Sequence, residues 1–231
     1  MIGRLIALRD ARAPMGAKAG LIALFVVALV ALLPLRVVAG RVAGLSAQAA
    51  QGSVWAGRLQ DAAYGPLTLG DLDARLALWP LLLGRAEIAL RGEGFAARLS
   101  RAGVREASGT LPLRGGLGAL PVESAAFDHV TVVFHDGACD AAQGRVGLTL
   151  AIPGVSSLVL SGEARCAGAV LLLPLRGPGG MERLDLRLQG DGRWRADLVL
   201  SGLSPEAAAP LRAAGLAARP DGLVLRTGGR F

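Results

Sequence analysis

The 231-residue chain is predicted to be mainly β. A single N-terminal transmembrane helix is followed by a curved antiparallel β-meander or sandwich-like domain with one short C-terminal helix. Three observations carry this expectation. Only one long apolar run exists, residues 19–35, with no charge across it. Beyond it apolar residues recur with period two, as on a half-buried strand. Glycine and proline, 33 and 12 copies, punctuate those stretches too closely to leave room for βαβ units.

The apolar run spans about 26 Å as a helix at 1.5 Å per residue, close to the thickness of bilayer hydrocarbon. Leu21, Phe25, Val30 and Leu33 represent this membrane anchor. Arg4, Arg9, Arg12 and Lys18 precede it, so the positive-inside rule keeps the N-terminus in the cytoplasm and carries the rest across. The organisation expected is a basic cytoplasmic head (1–18), an anchor (19–39) and an extracytoplasmic β-rich domain (40–231). A cleaved signal peptide is the competing reading, with Val37-Val38-Ala39 as a small-residue cleavage site, although the run exceeds a usual signal core.

After the anchor, Leu67 and Leu69 alternate with Thr68 and Gly70, and Leu72, Ala74, Leu76 and Leu78 share a face. Leu81–Leu83 leads through Gly84 into Ala86, Ile88 and Leu90. Val130, Val132 and Phe134 are expected on one face, with His129, Thr131 and His135 on the other. Val146 to Leu150, Leu158 to Leu160 and Val170 to Leu173 follow. Leu184, Leu186 and Leu188 then face Trp194, Ala196, Leu198 and Leu200 across Gly190-Asp191-Gly192, the clearest hairpin of the chain. Ser204-Pro205-Glu206 is a helix start, and Gly215 closes a short helix that Pro210 limits. Gly222–Arg226 forms a last strand. A sheet with one apolar face must cover it, here by curling or folding on itself.

Composition excludes several functions. With 52% hydrophobic residues, the chain is not intrinsically disordered. Aromatic residues reach 4%, too few for base-stacking platforms. The net charge of +7 invites a nucleic-acid reading, but all basic residues except Lys18 are arginines, spread singly as at Arg58, Arg75, Arg85, Arg91, Arg98, Arg105 and Arg114. A nucleic-acid footprint needs a stripe or cluster. Residues 1–40 hold +4 of the charge, which is a topology signal.

No catalytic constellation is legible. His129, His135, Asp136 and Cys139 are the densest reactive group, yet the two histidines stand about 20 Å apart on an extended strand. A solvated face ending in a turn at Asp136-Gly137 accounts for them. Gly115, Gly116 and Gly118 lack the strand-to-helix context of a phosphate loop. Ser53 and Ser108 have no nearby histidine to serve as base, and Glu87 and Glu93 flank a strand and turn. No enzyme, cofactor, metal or small-molecule substrate is expected. Cys139 and Cys166 are an even pair suited to one disulfide in an oxidising compartment, with buried free thiols as the alternative. Trp55, Trp79 and Trp194 read as core or sheet-closing residues before partner hot spots, and Trp55 lies near enough to the anchor for the membrane surface.

Gly52-Ser53-Val54-Trp55-Ala56-Gly57, then Leu69-Gly70, then Trp79-Pro80 before Leu83-Gly84, resemble the type II secretion system protein N family. Cys139 with Gly144, Gly162 with Cys166, and the ending Leu211–Gly215 and Asp221-Gly222-Leu223 are similar too. The resemblance covers residues 20–231. Its motif residues, Gly52, Val54, Trp55, Gly57, Gly70, Trp79, Pro80 and Gly84, are structural. It implies an inner-membrane-anchored, single-pass accessory component of type II secretion. Such a protein assists export of folded periplasmic proteins across the outer membrane by contacting other secretion components. The family is also similar in outline to AsmA-like proteins, which implies, as an alternative, a curved sheet that binds or conducts lipid.

Overall fold

In the computed structural model, residues 20–22, 24, 25, 28, 32, 34, 35, 45–64, 67–77, 80, 81, 85–113, 117–151, 157–213 and 215–230 are described. Val30, Leu33, Arg4, Arg9, Arg12, Lys18, Trp79 and Gly84 lie outside them.

The chain forms a single 16-stranded antiparallel sheet, an open meander instead of two facing sheets. Its first part runs β1 (Leu45–Ser46), β2 (Ala49–Ser53), β3 (Ala56–Tyr64), β4 (Leu67–Leu76), β5 (Glu87–Gly92), β6 (Phe95–Ser100) and β7 (Gly103–Pro112). Two long strands follow, β8 (Val122–His135) and β9 (Ala138–Leu150), then β10 (Leu158–Glu163) and β11 (Arg165–Ala167). The last part is β12 (Val170–Arg176), β13 (Glu182–Leu188), β14 (Arg193–Leu200), helix α1 (Pro205–Ala213), β15 (Ala217–Arg219) and β16 (Gly222–Arg230). Nearly every strand pairs with its sequence neighbour. β1 and β2 share the edge along β3, and α1 carries the chain over so that β16 pairs β14 and β15 closes the far side.

Register places one apolar face along the whole sheet. Leu59 opposes Leu72, and Ala74 and Leu76 oppose Leu90 and Ile88. These in turn meet Ala97 and Leu99 on β6, and Leu99 meets Val104 on β7. The face continues through Val132, Val146 and Leu148, and through the clear hairpin, where Leu184 meets Leu198 and Leu188 meets Trp194. Where this inner face curls it is filled, because Leu148, Leu150, Leu160, Leu173, Leu175, Leu184, Leu198 and Leu200 are buried in one cluster. Helix α1 adds Ala208 and Leu211 to it. The helix ends as its sequence predicts. Gly215 has φ +97°, and Leu216 N–H reaches Leu211 O at 3.1 Å while Gly215 N–H reaches Arg212 O at 3.0 Å, a Schellman close.

Three interruptions of the ladder share one construction. Asp61, Glu106 and His129 have positive φ, 46°, 51° and 49°, which costs a non-glycine residue energy unless its surroundings hold it. Each lies at a register shift, in the β3–β4, β6–β7 or β7–β8 and β8–β9 pairings. In each, the freed backbone N–H donates to a side-chain oxygen on a neighbouring strand: Asp61 to Asp71 Oδ1 at 3.0 Å, Glu106 to Thr131 Oγ1 at 3.1 Å and His129 to Ser108 Oγ at 3.3 Å. At His129 the bulge also leans on β9, where a Cβ on Gly144 would fall 2.6 Å from His129 O.

Cys139 and Cys166 form a disulfide with Cα atoms 5.6 Å apart. It ties β9 to β11 where their ladder lapses. Glu163 still pairs with Arg145, and Ala164 N–H still reaches Gly144 O at 2.9 Å, but β11 pairs only β12.

Candidate functional site

The predicted polar cluster does not converge. His129 and His135 are 84% and 82% exposed and each faces only the neighbouring aspartate, Asp128 or Asp136, on solvent. Among the described residues no His, Cys, Asp or Glu group comes together to hold a metal ion. The reading that Ser108 has no histidine nearby needs a correction, since β8 brings His129 beside it. What bonds Ser108 is the His129 backbone N–H, so the hydroxyl supports a bulge and is not paired with a base.

The motif glycines and Trp55 sit at the first end of the sheet. Val54 and Trp55 form the two-residue turn between β2 and β3, with Gly52 opposite Gly57 and Ser53 opposite Ala56. Gly52 has φ +84° and its Cβ would fall 2.5 Å from Ala56 O, so only glycine suits the turn. Val54 is buried and Trp55 half-buried. The end of the apolar run docks here: Pro34 bridges Ser53, and Leu35 is buried against Leu59, Ala62 and Leu72. Gly70 also has positive φ, 69°, beside the Asp61 bulge. Pro80 and Leu81 have helical backbone before β5. Outside the sheet, Leu21, Ile22, Leu24, Phe25 and Leu32 are at least 65% exposed, with helical backbone at 20–22, 24, 25 and 28. Among the described residues no helix is long and apolar enough to cross a membrane.

From this end the inner face is a shallow apolar floor. Leu76, Ile88, Leu90, Phe95 and Val104 are only half-buried and Leu99 is 39% exposed. Charges keep to the outer face, where Arg58 pairs Asp73 at 3.0 Å and Arg98 pairs Glu106 at 3.3 Å. The hydrogen bond from Arg58 holds the Asp73 carboxyl below the usual carboxylate range. The floor is closed further along by the connection between β7 and β8. There Leu117 and Leu120 exchange backbone hydrogen bonds and bury in the main cluster. Gly118 lies against the Trp194 ring, and Ala119 N–H reaches Thr227 Oγ1 at 3.4 Å.

At the opposite end, register gathers arginines that are scattered in sequence. On the outer face Arg187 lies directly opposite Arg195, and Arg176 opposite Arg183. The aspartates Asp185 and Asp197 face each other, and Asp197 also faces Arg226. Asp197 is shared by Arg187 at 3.2 Å and Arg226 at 3.1 Å, while Asp185 takes Arg176 at 3.4 Å. Arg183 and Arg195 have no acidic partner among the described residues. Arg187, Arg195, Asp197, Arg226, Thr227 and Gly228 line an open depression of about 480 Å³. Arginines that are spread singly in sequence are therefore gathered on one face. The arginines stand at irregular intervals in sequence, and only the register of β12, β13, β14 and β16 brings them side by side.

Residues 43–225 match the family model described as Type II secretion system (T2SS), protein N. No curated protein matches the chain. No solved structure matches it either.

Proposed function

The chain belongs to the type II secretion system protein N family, and from that premise we propose that it is a single-pass inner-membrane accessory protein of the secretion apparatus. In this reading residues 1–18 are a cytoplasmic head, 19–39 an anchor and 40–231 a periplasmic body. The body assists export of folded proteins across the outer membrane by contacting other secretion components, without catalysis of its own. The family match over residues 43–225 carries the reading. Anchoring is supported by the exposed apolar side chains of Leu21, Ile22, Leu24, Phe25 and Leu32, which in water would lack any cover. Leu35, buried under the β2–β3 hairpin, ties that segment to the sheet, and Trp55 at the turn stands at headgroup level. The disulfide suits a periplasmic location. Deleting the chain should leave exported substrates folded in the periplasm, and re-expression should restore their release. Normal export without the chain would reject the reading.

A second reading is favoured by a separate observation, the half-buried apolar floor made by Leu76, Ile88, Leu90, Phe95 and Val104, next to the buried cluster in which Leu35 docks. Charged side chains lie on its other face, so acyl chains of inner-membrane lipid could lie along it without meeting a buried charge. Phospholipid retained by the full chain purified in mild detergent, and lost in Leu90→Glu, would favour lipid contact over a purely protein-binding role.

A further inference from the structure

We infer that the outer edge of β16 receives an extended acidic segment of another envelope protein, which adds a strand to the sheet beside the arginine ladder. The inference deepens the reading of the chain as a contact-making secretion component and rests on it. β15 pairs only residues 222–224 of β16. Among the described residues, no strand covers residues 225–230 on the side away from β14. An edge strand with free alternate N–H and C=O groups is a template for strand addition. The connection that reaches Thr227 does so on the inner face, from Leu117 to Leu120, and leaves the outer face open.

Charge selects the occupant. Seven arginines, Arg176, Arg183, Arg187, Arg193, Arg195, Arg226 and Arg230, share the outer face of these strands with Asp185 and Asp197. Like charges directly opposite one another destabilise a sheet, and the Arg187–Arg195 row has no acid within it. Gly228 completes that row and carries no side chain, so no side chain within the row stands between Arg195 and the edge strand's outer side. On an added strand, outward side chains recur at every second residue. Acids at those positions would reach Arg226, Arg195 across Gly228, and Arg230. A second copy is a poor occupant, because the opposite edge of the sheet, Ala49–Ser53, has the sequence AAQGS and no acid. A membrane surface is a poor one as well. β14 stands ten strands from β3, about 48 Å along the sheet, and Leu35 docks at the β3 end.

The test uses the full chain in detergent and a labelled peptide of about nine residues, glutamate alternating with valine or threonine. The glutamate peptide should bind, and its lysine counterpart should not. Arg187→Glu and Arg195→Glu should each weaken binding about tenfold, mainly through slower association. Hydrogen exchange supplies the second readout: bound peptide should protect the alternate amides of residues 225–230 that do not bond β14. Equal binding of the lysine peptide, unchanged affinity in both variants, or binding without protection at 225–230 overturns the proposal. So does displacement of the peptide by phosphatidylglycerol vesicles in an Arg195-dependent way, which assigns the ladder to lipid headgroups. Export distinguishes the two levels. If Arg195→Glu exports normally while deletion of the chain blocks export, the surface fails and the secretion role stands. If deletion is silent, the secretion role itself fails.

Discussion

Leu35 fills the space that a side chain at Gly57 would need: a Cβ built on Gly57 would lie 2.5 Å from Leu35 Cδ2. The end of the apolar run is therefore fitted to the second strand of the first hairpin, and the motif glycine exists to admit it. Gly57→Ala must displace Leu35 and should cost about 1–3 kcal/mol as an overpacked site. Leu35→Ala should cost about 2–5 kcal/mol through the cavity it leaves. The double variant should lose less than the sum of the two, because the clash and the cavity compensate. Compensation should be partial, since Ser53 O also stands 2.8 Å from the built Cβ. Denaturant unfolding of the four proteins checks this, and strict additivity would show that the two residues do not touch.

The three bulges make a second prediction. Ser108→Ala and Thr131→Val each strand a backbone N–H, that of His129 or Glu106. An unmade bond of this kind costs about 1–3 kcal/mol when water cannot replace it. Both sites are partly open to solvent, so the loss should fall near the lower end. Amide exchange at His129 and Glu106 should quicken in the matching variant alone. A shift at both sites from one substitution would mean that the bulges open together.

How much of this was legible in the sequence follows from where the period holds. The β13–β14 hairpin was readable because Leu184, Leu186, Leu188, Trp194, Ala196 and Leu198 keep strict alternation on both sides of a glycine turn. β8 was readable only from Val130, although it begins at Val122. Ala125 and Phe127 face inward at odd positions and Val130 and Val132 at even ones. The extra residue at His129 shifts the phase, and a period-two reading loses the strand at that point. β7, interrupted at Glu106, was missed for the same reason. The arginine ladder was hidden differently. Cross-strand neighbours such as Arg187 and Arg195 are set by register, which a residue-by-residue scan does not see. The Gly118–Trp194 contact depends on the sheet's curl and leaves no local signal at all.

The disulfide gives a third prediction. Closing 27 residues of chain should contribute about 3 kcal/mol, chiefly by restricting the unfolded chain. Cys139→Ser and Cys166→Ser should lower stability equally, and the double variant should lose no more than either single one. Each single variant should abolish the mobility difference between reduced and non-reduced protein. An oxidised mobility that survives Cys166→Ser would show that it does not come from a Cys139–Cys166 bond. Because β11 lacks a ladder to β9, exchange at Arg165–Ala167 should rise more than exchange across β9–β10.

Trp194 gives the last. It is 6% exposed on β14, and its ring meets the backbone at both Gly118 and Gly229. Two glycines face it because neither strand nor loop could approach the ring with a Cβ in place: one on Gly118 would lie 2.9 Å from Cη2, one on Gly229 3.2 Å from Nε1. The ring is thus the surface on which the Leu117–Leu120 turn closes the inner face. Trp194→Ala should cost about 3–5 kcal/mol, and the loss should be spatially uneven. Amides of Leu117 and Leu120, whose mutual bonds define the turn, should exchange faster. Those of Leu59 and Leu72 at the other end of the sheet should be unchanged. Gly118→Ala, at φ +61° and against the same ring, should reproduce the local loosening with a smaller global loss. If both variants leave Leu117 and Leu120 protected, the turn is held by its own leucines, and the inner face stays closed without the tryptophan.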